Sequence, residues 1–130
     1  TGKLLIVPKT NLDFTDQIKN VLKEIARDFF IHRCKEYSKK IHVSFSRISV
    51  KDPRTRWGSC SFDRKLMFSW RLIMAPREVS SYVAAHEVAH LVHMDHSSDF
   101  WKMVQSIYPN YLSQRSWLKS NGKNLQRYGF

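Results

Sequence analysis

The chain has little of several things, and each shortage excludes a class. Its 130 residues contain two cysteines, four glycines and four prolines. Cys34 and Cys60 form no CxxC pair, and two thiols do not make a secreted disulfide framework. The expected location is a reducing compartment, the cytoplasm, with each thiol acting as a small buried hydrophobe. So few glycines and prolines beside 17 aromatic residues argue against disorder. Repeats and low-complexity tracts are absent, and no apolar run nears the roughly 18 residues of a membrane span. The run Tyr82 to Ala85 is cut off by His86 and Glu87. The chain opens at Thr1 with neither Met nor signal peptide, as a fragment or processed chain would. Acids run out too: there is no Glu after Glu87 and no acid of either kind after Asp99.

What is present is basic charge. Lys and Arg number 22 against 11 Asp and Glu, a formal net charge of +11. The cations concentrate between Arg33 and Lys65 and again beyond Asp99. Such a surface attracts nucleotides, nucleic acid or an acidic partner, or simply keeps the protein in solution. The length suits one domain spanning residues 1–130. Nothing in the pattern indicates an oligomeric state.

Periodicity predicts an α+β domain, a small, mostly antiparallel sheet packed against a central helix with flanking helices. Residues 4–7 read as a short strand ended by Pro8. Asp16 to Glu36 reads as an amphipathic helix, N-capped by Thr15, with the stripe Ile18, Val21, Leu22, Ile25 and Phe29. His42 to Val50 alternates as a strand and is broken at Asp52-Pro53. Arg56–Ser61 and Leu66–Trp70 read as two more strands, joined by a turn at Asp63-Arg64-Lys65. Pro76 opens a buried helix that runs to about Met94. Ser97 caps a helix from Ser98 to Tyr108, and a last helix spans Asn110 to Lys119, with Gly122 just past its end.

The buried helix carries His86-Glu87-Val88-Ala89-His90, an HExxH sequence. A spacing of four residues puts both imidazoles on one face, one turn apart, where they can share a metal ion. Glu87 lies about 100° round from His86, placed to take a proton from a water that the metal activates. A catalytic zinc usually has three protein ligands and one open position. His93, Asp95, His96 and Asp99 compete for the third place. His93 would sit about 10 Å along the axis from His86 if the helix continued. His96 fits best if the helix ends near Met94 and the chain turns back, with Asp95 tolerating the turn. Asp99 and His93 remain alternatives. One zinc ion is expected, although Mn, Co or Ni suit the same donors.

Three further residues are candidates for substrate binding. Arg54, Arg56 and Trp57 precede Gly58, where a strand near the site could pair with an extended peptide and Gly58 would permit close backbone approach. Arg56 is suited to an oxyanion or a phosphate. Trp57 also fits simple packing, as do Trp70, Phe100 and Trp101. Tyr82 and Tyr108 are possible hydrogen-bond donors to a transition state.

The runs TRWGSCS (Thr55 to Ser61), FSWRLIMAP (Phe68 to Pro76) and HEVAHLVHMDHSSDFW (His86 to Trp101) resemble the YgjP-like zinc-metallopeptidase domain, a family related to the SprT-like zinc peptidases. The match runs from about Val50 to Leu118. The resemblance implies a zincin-like fold, His86, His90 and His96 as metal ligands and Glu87 as catalytic base. It also implies that a β-rich region ahead of the first helix is short or missing here. A nucleotide-pyrophosphatase activity has been attributed to the family as well. Three functions are therefore carried forward. The first is a zinc-dependent peptidase acting on peptides or proteins. The second is a nucleotide phosphohydrolase at the same site, gripping phosphates through Lys51, Arg54 and Arg56. The third is a nucleic-acid-binding module with a structural zinc. No membrane partner is expected.

Overall fold

The computed structural model describes residues 11–126; the strand read at residues 4–7 lies outside them. The elements in order are α1 (Asn11–Lys40), β1 (Arg47–Lys51), β2 (Gly58–Cys60), β3 (Lys65–Ser69), a 3₁₀ turn (Trp70–Met74), α2 (Arg77–Ala89), α3 (Ser98–Ile107) and α4 (Tyr111–Gln126). This is an α+β architecture, with helices against one face of a three-stranded sheet.

α1 begins before Thr15, so Thr15 lies inside the helix and not at its N-cap. Its buried stripe is Ala26, Phe30, Cys34 and Tyr37, while Ile25 is half exposed. The expected stripe was thus rotated: these four residues follow the 3.6-residue period equally well, and they face the core shared by the sheet and α2. Phe30 stacks on Phe68 of β3, centroids 4.1 Å apart and rings 3° from parallel. The helix stops where His42 adopts a left-handed φ of 57° and Val43 N–H donates to the Ser38 carbonyl at 3.0 Å. His42 therefore closes a helix instead of opening a strand, and β1 starts five residues later.

The strand order is β1-β3-β2. β2 and β3 are antiparallel, but β1 and β3 are parallel, so the sheet is mixed rather than mostly antiparallel. The reason is long-range. The Asp52–Trp57 link carries the chain from one edge of the sheet to the other, and the hairpin then returns its second strand into the middle. Local alternation carries no trace of that insertion. The hairpin turn holds Arg64 at φ 65°, with Arg64 N–H donating to the Ser61 carbonyl at 3.0 Å.

The register sorts the two faces. Ile48 is beside Leu66, Val50 beside Phe68, and Gly58 and Cys60 beside Phe68 and Leu66. This set faces the helices. Leu66, Phe68, Trp70 and Leu72 are fully buried there with Phe100 and Val104 of α3. Each such side chain contributes about 1.5–3 kcal/mol of transfer free energy. α2 is buried around most of its circumference, as expected, with Pro76 at its N-cap rather than inside it. It ends at Ala89, several residues before Met94. Gly122 lies within α4 and not beyond it: a Cβ there would come within 3.0 Å of Trp57 Cζ2, so the glycine lets the indole seat against the helix.

Candidate metal centre

The early end of α2 builds the site. His90 is the C-cap, in αR conformation. After it the chain tightens into three-residue steps, Leu91 N–H to Val88 O at 3.0 Å and Val92 N–H to Ala89 O at 3.1 Å. Asp95 Oδ1 then accepts the Ser97 N–H at 3.3 Å, and Ser97 Oγ caps α3 by accepting the Phe100 N–H at 3.3 Å. This loop swings His96 back over the helix face that carries His86 and His90.

One ligand atom from each of His86, His90 and His96 lies within 4.8 Å of the others. Ring centroids are 4.9 Å apart for His86–His90, 5.4 Å for His86–His96 and 4.9 Å for His90–His96. Neither His93 nor Asp99 belongs to the group. His93 has a different part: its carbonyl accepts a hydrogen from His90 Nδ1 at 2.8 Å. That bond assigns the proton to Nδ1 and leaves Nε2 of His90 free to ligate. His86 Nδ1 is held by Tyr82 Oη at 3.3 Å, again leaving Nε2 for a metal. Phe100 is the floor, stacked on His90 at 4.3 Å and edge-on to His86 and His96. Trp101 walls the cluster, 5.6 Å from His86 and 6.0 Å from His96, with the Arg115 guanidinium 4.5 Å over its ring.

The electrostatics favour neutral imidazoles, the form that donates a lone pair. Burial pushes His86 down to about 3, helped by His90, His96 and Arg115. Burial lowers His90 as well. Three imidazoles from one turn and a return loop fit a divalent transition metal.

Glu87 is 5% exposed and carries no side-chain hydrogen bond among the described residues. Burial pushes its carboxyl up to about 8, with the Arg56 guanidinium acting in the opposite sense. A cation at the imidazoles would act in the same sense as Arg56. Gly58 explains how the carboxylate fits: a Cβ on that residue would lie 3.0 Å from Glu87 Cγ, Glu87 Oε2 and the Met67 carbonyl oxygen. The close approach that Gly58 permits is thus to Glu87. The Cys60 thiol, on the same sheet face, is raised to about 11 by burial and by Glu87. Cys34 is raised by burial too. Both thiols are free.

The three substrate-binding candidates separate. Arg56 is exposed and within electrostatic reach of Glu87. Trp57 is half-buried, its indole against Gly122 of α4. Arg54 lines a cavity of about 540 Å³ with Asp52, Pro53, Arg71 and Gln126, none of them in the imidazole group. Sequence reasoning missed the His93 carbonyl and the Phe100 floor, and saw Tyr82 only as a donor to substrate. The position of Tyr82, four residues before His86 on the same helix, was the available signal.

The architecture is that of a metallopeptidase fold. It is similar to the crystal structure of the metallopeptidase zymogen of Pyrococcus abyssi abylysin, with a TM-score of 0.63 and 18% identity, over 78% of this chain and 99% of that one. The chain belongs to the YgjP-like metallopeptidase domain family, whose model matches residues 6–121. No curated protein matches it.

Proposed function

We propose that this chain is a zinc-dependent peptidase, with His86, His90 and His96 holding the ion and Glu87 as general base. The carrying observation is a group of three imidazoles, with no fourth side-chain donor among the described residues, next in sequence to a buried carboxylate. Three ligands and an open position suit catalysis, whereas a structural zinc needs four. Held there, zinc would supply a Lewis acid for the scissile carbonyl and for water. Glu87 takes the proton from that water and returns it to the leaving amine. β2 is an edge strand beside Glu87, and an extended peptide pairs with it in this reading. Arg56 then meets the developing oxyanion, with Arg54 and Trp57 on the segment leading to that edge. The two free thiols suit a reducing cytoplasm. Among the described residues no helix is long and apolar enough to cross a membrane.

One observation favours a second reading. The cation whose charge acts on Glu87 is Arg56, and a guanidinium grips phosphate as readily as an oxyanion. The same site would then hydrolyse nucleoside triphosphates. The test is metal analysis of protein purified without a His tag, with side-by-side assays on casein-derived peptides and nucleoside triphosphates. Stoichiometric zinc and peptide cleavage are expected, and Glu87→Gln should keep the zinc and lose turnover. Hydrolysis of triphosphates alone would replace the peptidase with the phosphohydrolase.

A further inference from the structure

The sheet has a second face, and no helix among the described residues packs across it. By the pairing register, Arg47, Ser49 and Lys51 of β1, Lys65 and Met67 of β3, and Ser59 of β2 all point away from the buried set. This face opens on a cavity of about 880 Å³, completed by Lys23 and Arg27 of α1. None of its lining residues belongs to α2, α3 or α4, so it is separate from the imidazole cluster. Lys23 and Arg27 are four apart, one turn on the same helical face.

The lining is unbalanced in charge. Lys23, Arg27, Arg47, Lys51 and Lys65 face only Glu24 and Asp63. Asp63 is already engaged, by Lys65 at 3.0 Å and by the Ser61 hydroxyl. Among the described residues, Lys23, Arg27, Arg47 and Lys51 join no ion pair. Such a concave cationic surface with hydroxyls between the charges fits a chain of phosphates.

A second observation points to what the phosphates are attached to. Phe62 stands between Ser61 and Asp63, two residues that line the cavity, and it is 92% exposed at the tip of the β2–β3 turn. The ring takes no part in the hydrophobic core of the described residues, so its faces are open to an external group. A cationic groove with an exposed aromatic ring on the turn that adjoins it is an arrangement that can hold unpaired bases by stacking while the backbone tracks the charges. An acidic polypeptide would match the cations but offers no row of planar bases to the ring.

We infer that this outer sheet face binds single-stranded nucleic acid, with phosphates on Lys23, Arg27, Arg47 and Lys51 and a base stacked on Phe62. The experiment is fluorescence anisotropy of the full chain with a labelled oligothymidylate of about 15 nucleotides. Four phosphate contacts predict a loss of about 50-fold in affinity from about 50 to about 200 mM salt. Phe62→Ala should weaken binding about tenfold and keep that salt slope. Arg47→Glu with Lys51→Glu should weaken it by more than tenfold and flatten the slope. All three side chains are exposed, so the variants should retain the wild-type circular dichroism. Glu87→Gln should bind as the wild type does, which separates this result from the fate of the peptidase reading. Absence of binding, indifference to both sets of variants, equal binding of a duplex, or equal competition by polyglutamate would each overturn the inference.

Discussion

Gly58 and Glu87 are in contact across the interface between β2 and α2: the carboxylate occupies the space where a side chain at Gly58 would begin. A methyl there would meet Glu87 Cγ, Oε2 and the Met67 carbonyl, each at 3.0 Å. The carbonyl belongs to the central strand and has little freedom, so the glutamate is the group that yields. Gly58→Ala should therefore keep zinc, because the imidazoles lie elsewhere, while displacing the base. Relieving contacts at 3.0 Å takes a shift of a few tenths of an ångström, so peptide turnover should fall about tenfold, less than the roughly hundredfold cost of a full 1 Å misplacement. Metal content and kcat measured on one preparation check this. Loss of zinc in the variant would mean that Gly58 supports the fold rather than the base.

Tyr82 and His86 make the second test. The phenol is buried, and its oxygen lies 3.3 Å from His86 Nδ1. Removing the hydroxyl leaves a buried ring N–H without its partner and frees the imidazole to rotate. Tyr82→Phe should weaken zinc affinity about 10- to 100-fold, as losses of outer partners of metal-bound histidines do. Competition with a chromophoric chelator measures it. An unchanged affinity would show that Phe100 and Trp101 alone orient the ring.

These two relationships differ in how far the sequence discloses them. The His86–His90 pairing follows from helical spacing alone, and the Ser97 cap from residue chemistry. His96 could be placed in the cluster because few donors follow Glu87. The early stop of α2 is different: no Gly or Pro marks Ala89, and the end comes from three-residue hydrogen bonds that only the packed loop makes. Gly122 carries an ambiguous signal, since glycine ends helices and also admits a neighbouring ring. Gly58 was legible as a close approach, but the partner comes from α2, about thirty residues on. The parallel β1–β3 pairing was invisible for the same reason. Pairing between distant strands is decided by which edge the chain reaches, and local alternation is identical for either edge.

Zinc should stabilise the fold without being needed to form it. The large buried side chains Phe30, Phe68 and Trp70 lie in a core that the imidazoles border and do not fill. With free zinc about a hundred times its Kd, binding adds about 2.7 kcal/mol, or about 10 °C in Tm for a chain this size. A strong chelator should remove that increment and leave the far-ultraviolet circular dichroism unchanged. His96 is exposed, so His96→Ala should cost little by itself and should abolish the chelator's effect. A chelator-treated protein that loses its helices would instead place zinc among the requirements for folding.

The acid limb of stability should run through Asp52 and Arg71. Arg71 is 7% exposed and stands over Trp70 at 4.8 Å. It donates Nε to Asp52 Oδ1 at 2.8 Å, Nη2 to Oδ2 at 3.3 Å and Nη1 to the Leu125 carbonyl at 3.2 Å. One guanidinium thus ties the end of β1 and the 3₁₀ turn to the end of α4. The hydrogen bonds from Arg71 hold the Asp52 carboxyl below its usual value. A carboxyl depressed in the folded state stabilises the protein fully above its unfolded pKa. That contribution is lost as pH falls through the folded value. Asp52→Asn should therefore cost about 1–2 kcal/mol at pH 7, a charge-assisted bond discounted for the partial exposure of the aspartate. The difference from wild type should shrink once pH drops below about 4, where the unfolded carboxyl protonates, and vanish below the folded pKa. Urea melts of both proteins across this range check the sign. A difference that persists at the lowest pH would assign the effect to packing rather than to charge.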